Sequence, residues 1–228
     1  SLDNNKLLAA GEGGVLVTNN RKFYERAMLY SDFSSRIVYE VKNKSLKEFN
    51  ETGLGFKHRI HPVSAAIAKN ELKRIDFYIK KRHKSLNYFS KAISKIEGIS
   101  PPITKKYVNR GAFYGYRPFF RSTELNNVSI TKFIKLLQAE GVEVRQSNNQ
   151  PLHLLPLFAS KKFGPKILNK KITNYREYKN GDLPNSEKFF NTTLSLPTFT
   201  FESKKLIDQY IKAFKKVCYF LSKSKKNI

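Results

Sequence analysis

Between Pro62 and Gly98 the apolar residues recur at helical spacing. Ala65, Ala68, Leu72, Ile75, Ile79, Leu86, Phe89, Ile93 and Ile96 follow one another at three- and four-residue steps, or two turns apart. That pattern predicts one long amphipathic helix. Pro62 suits its first turn and Gly98 its end. Lys69, Lys73, Lys80 and Lys84 fall between the apolar positions and form a solvated face. Pro101 and Pro102 then break the chain.

Upstream, the pattern reads as a loop, a glycine turn at Gly11 to Gly14, a short strand at Val15 to Thr18, and a helix over Arg21 to Tyr30. Downstream, an aromatic-rich strand is expected at Phe113 to Arg121. A helix over Thr131 to Glu140, stopped by Gly141, leads to a strand at Val142 to Val144. Pro151 to Phe158 reads as a loop or short helix. Leu194, Leu196 and Phe199 flank Pro197 as an edge strand. A last helix starts near Ser203, capped by Thr200, with apolar positions Leu206, Tyr210, Phe214, Val217 and Leu221. Strands alternating with helices predict a small α/β domain over 101–228. The Lys-rich stretch from Ser222 to Ile228 reads as a frayed end.

Composition narrows the class. Hydrophobic residues make up 40% of 228, enough for a packed core. No apolar run approaches the roughly 20 residues of a membrane helix. The single cysteine, Cys218, excludes an internal disulfide, occupies a helical apolar position and fits a reducing cytoplasm. Four His and one Cys show no metal spacing, so no metal site is expected. The balance of 43 Lys and Arg against 18 Asp and Glu allows nucleic acid, an anionic surface or a phosphorylated ligand. The cations spread along the chain, the aromatics take core-like positions, and Lys, Asn, Ile and Phe are all plentiful, which favours compositional drift together with a phosphorylated ligand over nucleic acid.

The stretch Ser1-Leu2-Asp3-Asn4-Asn5-Lys6-Leu7-Leu8-Ala9-Ala10-Gly11-Glu12-Gly13-Gly14 carries the most chemistry. A lysine before a glycine turn is, by itself, usually a solvated surface charge. Here three further blocks accompany it in order: Gly53-Leu54-Gly55-Phe56-Lys57-His58-Arg59-Ile60-His61-Pro62, then Glu140-Gly141-Val142-Glu143-Val144 with Pro151-Leu152-His153, then Leu194-Ser195-Leu196-Pro197. Together they resemble the DegT/StrS family of pyridoxal-phosphate-dependent sugar aminotransferases, from the cofactor lysine onward.

The resemblance implies an α/β fold, the C-terminal part of a fold-type I transferase. Residues 1–61 would complete the cofactor-binding large domain, 62–100 would be the connecting helix and 101–228 the small domain. Lys6 would carry pyridoxal 5'-phosphate, because an aldehyde cofactor needs an amine nucleophile on a flexible stem. Once displaced by the incoming amine, Lys6 could move a proton between substrate and cofactor carbons. Ser1 would hydrogen-bond the cofactor phosphate. Lys57 stands where many relatives place an Asn that reaches a neighbouring subunit's phosphate, and would act as a point charge. Arg59 would grip a phosphate or the amino donor's carboxylate. His153 would approach the substrate, although Asn149 stands where relatives often have Tyr. His58, His61 and His83 read as structural. The aspartate that bonds the pyridine nitrogen would lie upstream of Ser1, so the chain is expected to be a fragment without turnover of its own.

The expected activity of the parent protein is amino transfer from glutamate or glutamine to a keto sugar, nucleotide-linked, in a cytoplasmic homodimer serving cell-surface polysaccharide synthesis. Dehydratases of the family replace the lysine with His, and Lys6 argues against that branch. The alternatives are a basic nucleic-acid-binding module and a catalytically inactive relative.

Overall fold

A computed structural model describes residues 1–33, 35–147, 150–159 and 177–223. The chain divides into two compact units, Ser1–Phe77 and Tyr78–Ile228.

In the first unit, α1 (Arg21–Ser31) begins where the Asn20 side chain accepts hydrogen bonds from the backbone N–H groups of Lys22 and Phe23. Two short helices follow, α2 (Ser35–Glu40) and α3 (Lys44–Lys47), the latter capped by Asn43. Met28 and Leu29 of α1 bury against Ile37 and Val41 as a small core. Glu25, also buried, accepts the Lys42 and Asn43 backbone N–H groups and the Arg21 guanidinium. The Lys42 bond first, then Arg21, holds its carboxyl below the usual carboxylate range. Glu25 is thus a structural clamp between α1 and the start of α3.

The strand expected at Val15 to Thr18 does not form. Val15, Leu16 and Val17 are 69%, 71% and 86% exposed. A strand exists through its ladder to a neighbour, and among the described residues none pairs with this segment.

The long helix after Pro62 is two helices, α4 (Pro62–Leu72) and α5 (Ile75–Ile93). Pro62 takes the first helical position, and His61 caps α4 by accepting from the Val63 N–H at 3.2 Å. At the break, Lys73 N–H bonds Asn70 O and Arg74 N–H bonds Glu71 O, the i to i−3 pattern of a tightened turn. Helices in proteins persist mainly through packing of an apolar face, and α4 buries none of its residues.

The second unit holds the larger core. Leu86, Phe89 and Ile93 of α5 are fully buried in it. Phe89 meets the rings of Tyr116, Phe199 and Phe214 edge-on, with centroids 5.6, 5.4 and 5.9 Å away. Two small antiparallel sheets flank this core. One pairs β1 (Ile99–Ser100) with β2 (Phe119–Phe120), the other β3 (Arg145–Gln146) with β4 (Leu194–Ser195). The aromatic run thus yields a two-residue strand and two isolated bridges, Tyr116 to Leu196 and Phe119 to Thr193. Phe113, at φ +49°, interrupts its extended path. No strand forms at Val142 to Val144; β3 starts just past them, while Val142 and Val144 supply buried side chains.

Between the sheets, α6 (Ile130–Ala139) is capped by Ser129 and closed by Gly141 at φ +83°. A 3-10 turn (Leu152–Leu154) and α7 (Pro156–Ala159) form the Pro-Leu loop. The sequence pattern gave no sign of α8 (Pro184–Thr192). The last described helix is α9 (Lys204–Lys223). Its cap is Ser203, whose Oγ accepts from Leu206 N–H at 3.2 Å, rather than Thr200, which accepts from Arg82 Nε at 2.6 Å. Leu206 is exposed and Ile207 takes the core position beside it, while Tyr210, Phe214, Val217 and Leu221 are buried as expected. Cys218 is buried on the same face, and burial pushes its thiol up to about 12. Among the described residues, no helix is long and apolar enough to cross a membrane.

Candidate functional site

Lys6 sits in a loop that the backbone closes at its base. Leu2 N–H donates to Gly13 O at 2.9 Å and Ala10 N–H donates to Leu2 O at 2.8 Å. Leu2 and Ala10 are both buried, so the base is anchored by apolar contact as well. Inside the loop, Asn5 N–H bonds Asp3 Oδ1 at 3.0 Å and Lys6 N–H bonds Asp3 O at 2.9 Å. The Asx turn on Asp3 thus overlaps a β-turn that ends on Lys6, which is half-buried. Ser1 is exposed, and its Oγ accepts from Asp3 N–H at 3.4 Å. The glycine turn has a steric reason. Gly13 holds φ +132°, and a Cβ there would come within 3.3 Å of Ile60 Cδ1.

The second block leaves a turn at Gly53 to Gly55 and runs along the end of α1. Leu54 N–H donates to Leu29 O at 2.8 Å and His58 N–H donates to Ser31 O at 2.6 Å. Gly53 permits this approach at φ +60°, because a Cβ there would lie 2.7 Å from the Asp32 carbonyl oxygen. Phe56 packs between Tyr30 and His58, at centroid distances of 4.8 and 5.4 Å. Lys57 Nζ lies 4.7 Å over the Phe33 ring. Arg59 Nε stands 3.6 Å from Asp32 Oδ1, an ion pair with a buried carboxylate.

These residues open onto a cavity of about 870 Å³. Gly13, Gly14, Arg36, Lys57, His58 and Arg59 contribute its polar wall, and Val15, Leu16, Tyr24, Met28 and Ile60 much of the rest. Among the described residues the wall contains three cations and no carboxylate, so it suits anions. The structure thus brings Lys57 and Arg59 together. Ser1 and Lys6 are not in that wall, although the Leu2 to Gly13 bond ties their loop to it. Arg36 joins the wall without any warning from the sequence: α2 has six residues, too few to display a period.

His153 belongs to the second unit and is buried. Its Nε2 lies 2.9 Å from Glu187 Oε1, and its ring stands edge-on to Tyr178. The His153 bond, then the N–H groups of Gly181 and Leu183, hold the Glu187 carboxyl below the usual range. Asn149 lies outside the described residues. Of the other histidines, His61 caps α4, and His83 bonds the Gly111 carbonyl.

Comparison with known proteins gives these features a setting. The family model for the DegT/DnrJ/EryC1/StrS aminotransferases matches residues 1–215. The spore coat polysaccharide biosynthesis protein SpsC of Bacillus subtilis is 23% identical over 216 residues, which cover 93% of this chain and 51% of that protein. The chain spans about half the length of the curated relatives it matches. An aminotransferase from Psychrobacter cryohalolentis superposes with a TM-score of 0.74 at 20% identity, over 94% of this chain and 54% of that one. The GDP-4-keto-6-deoxy-D-mannose-3-dehydratase of E. coli, solved with bound hydrated PLP, superposes with a TM-score of 0.66 at 18% identity, over 92% and 52%. At such identities the structures speak to fold alone. The fold is α/β and corresponds to the C-terminal part of a fold-type I transferase.

Proposed function

The chain belongs to the DegT/DnrJ/EryC1/StrS aminotransferase family, and from that premise we propose that it carries the cofactor lysine of a pyridoxal-phosphate-dependent sugar aminotransferase. Lys6 is the residue to which the cofactor attaches. The observation that carries this reading is the closed loop, pinned by the Leu2, Ala10 and Gly13 backbone bonds, whose β-turn from Asp3 ends on Lys6. The donor set fits the cofactor: a primary amine on an anchored loop, a hydroxyl at Ser1, and a wall of Lys57, Arg59 and glycine backbone suited to a phosphate. When bound, pyridoxal phosphate supplies the electron sink for removing a proton from the amine-bearing carbon. Lys6 Nζ holds the cofactor between turnovers and, once displaced, carries that proton from one carbon to the next. Lys57 and Arg59 hold and orient anions.

The substrates of the whole protein are a keto sugar, nucleotide-linked, and glutamate or glutamine. The fold does not separate this chemistry from dehydration, since a dehydratase superposes as well; the primary amine at Lys6 is what favours transfer. The active protein is a cytoplasmic homodimer with shared sites. Lys57 and Arg59 line a cavity from whose wall Lys6 of the same chain is absent, which a site completed by a second subunit would explain. The test mixes a full-length Lys6→Ala subunit with an Arg59→Ala subunit and assays amino transfer from glutamate and glutamine to keto-sugar nucleotides. Each variant alone should be inactive and the mixture should regain activity. Heterodimers that form and stay inactive would contradict the shared site.

A further inference from the structure

The second unit has a hollow of its own, between α5 and the loop 103–113 that follows β1. Its volume is about 570 Å³, an ordinary size for a small-molecule site. The loop is braced from within. Arg110 Nε donates to Thr104 Oγ1 and its Nη2 donates to the Ile103 carbonyl, both at 2.7 Å. The guanidinium lies 5.1 Å over the Phe113 ring. His83 of α5 donates from Nε2 to the Gly111 carbonyl. Asn109 Oδ1 accepts from Gly111 N–H at 2.9 Å. These bonds leave donors unused. Among the described residues, Arg110 keeps both N–H groups of Nη1, Asn109 keeps its amide NH2, and the Lys106 and Asn87 side chains make no hydrogen bond. No Asp or Glu of the described residues lines the hollow or pairs with Arg110 or Lys106. Both positive charges therefore stand without an ion-pair partner there.

We propose that this hollow binds a phosphate group, free or at the end of a small molecule, between Arg110 and Lys106. A phosphate monoester carries about −1.5 to −2 charges and three acceptor oxygens. Two cations and two amides match that better than they match a single carboxylate. Tyr107, Val108 and Phe113 give the hollow an apolar side, and the Tyr107 ring, 81% exposed, is open to contact. A molecule attached to the phosphate would lie there. His83 is a positioning residue, since it ties the loop to α5 through Gly111. The site lies wholly in the second unit and does not depend on the assignment of Lys6.

The experiment titrates the full-length, cofactor-loaded protein by calorimetry with inorganic phosphate and phenyl phosphate, and with benzoate as the carboxylate control. Phosphate should bind and benzoate should bind far more weakly. Tighter binding of phenyl phosphate assigns the seat to an ester, and equal binding of the two assigns it to free phosphate. Arg110→Gln should weaken binding by roughly 10- to 100-fold, the range for loss of a charged hydrogen bond. Lys106→Gln should weaken it by roughly 5- to 10-fold, as for a more exposed charge. Because Lys106 braces nothing in the loop, its variant reports on the ligand even where Arg110→Gln unsettles the fold. Arg59→Gln, in the first unit's cavity, should leave phosphate binding unchanged. A wild-type protein that binds neither phosphate would overturn the proposal. So would benzoate binding as tightly as phosphate, wild-type affinity in Lys106→Gln and Arg110→Gln, or loss of phosphate binding in Arg59→Gln alone.

Discussion

Gly53 controls whether the Lys57–Arg59 segment can lie against the end of α1. At φ +60° a side chain costs about 1–2 kcal/mol from the dihedral alone. A Cβ would also meet two backbone oxygens, Asp32 O at 2.7 Å and Leu29 O at 3.0 Å. Neither can swing aside as a side chain would. The Leu29 carbonyl accepts the bond from Leu54 N–H, and the Asp32 backbone closes α1 by donating to Met28 O. Overpacking of this kind costs about 1–3 kcal/mol, so Gly53→Ala should lose about 2–5 kcal/mol in all. Gly55 supplies the control. It has φ +97° but nothing within 4 Å of its would-be Cβ, so Gly55→Ala should cost only about 1–2 kcal/mol. Urea unfolding of both full-length variants, with amide exchange at Leu54 and His58, measures the difference. Gly53→Ala should also weaken anion binding by displacing Lys57 and Arg59. Equal stability of the two variants would refute the steric argument, and normal protection at Leu54 in Gly53→Ala would refute the proposed role of that contact.

Other expectations follow from the second unit and from the charge. Phe89→Ala, which empties the centre of the aromatic cluster, should cost about 3–5 kcal/mol in urea unfolding. The Cys218 thiol rises from 9.0 to about 12 in the folded chain. The folded state then holds a proton that the unfolded state releases, so stability present below pH 9 should fall as pH rises from 9 toward 12. Cys218→Ala should lessen that slope, and native Cys218 should resist alkylation at pH 8 until urea unfolds the protein. Binding to random DNA should be weak and should vanish by moderate salt, because scattered cations gain little once counterion release is suppressed. A salt titration that left tight binding in place would revive the nucleic-acid reading.

Elements that bury a face were legible in the sequence, and elements that depend on a partner were not. Leu86, Phe89 and Ile93 announced α5, and Gly141 its role after α6, because burial and backbone freedom leave marks at fixed spacing. Val15 to Thr18 looked like a strand for its side chains, yet a ladder needs a neighbour that the described residues do not supply. Apolar spacing carried smoothly across Lys73–Arg74, where the chain breaks into two helices, since period alone does not say whether both halves have something to pack on. At the start of α9 the cap was Ser203 and not Thr200, whose hydroxyl is taken by Arg82, a long-range contact that local sequence does not display. In the site, the lysine and glycine strings were readable as motifs. Arg36 was not: only the fold carries a six-residue helix to the same cavity as Arg59.

If Lys6 holds the cofactor, chemical reduction should fix it there. The direct measurement is borohydride reduction of the full-length protein loaded with pyridoxal phosphate, followed by peptide mapping. A single fixed label is expected on Lys6, lost in Lys6→Arg together with activity, since arginine keeps the charge without a usable nucleophile. A label on any other lysine, or full activity in Lys6→Arg, would contradict it.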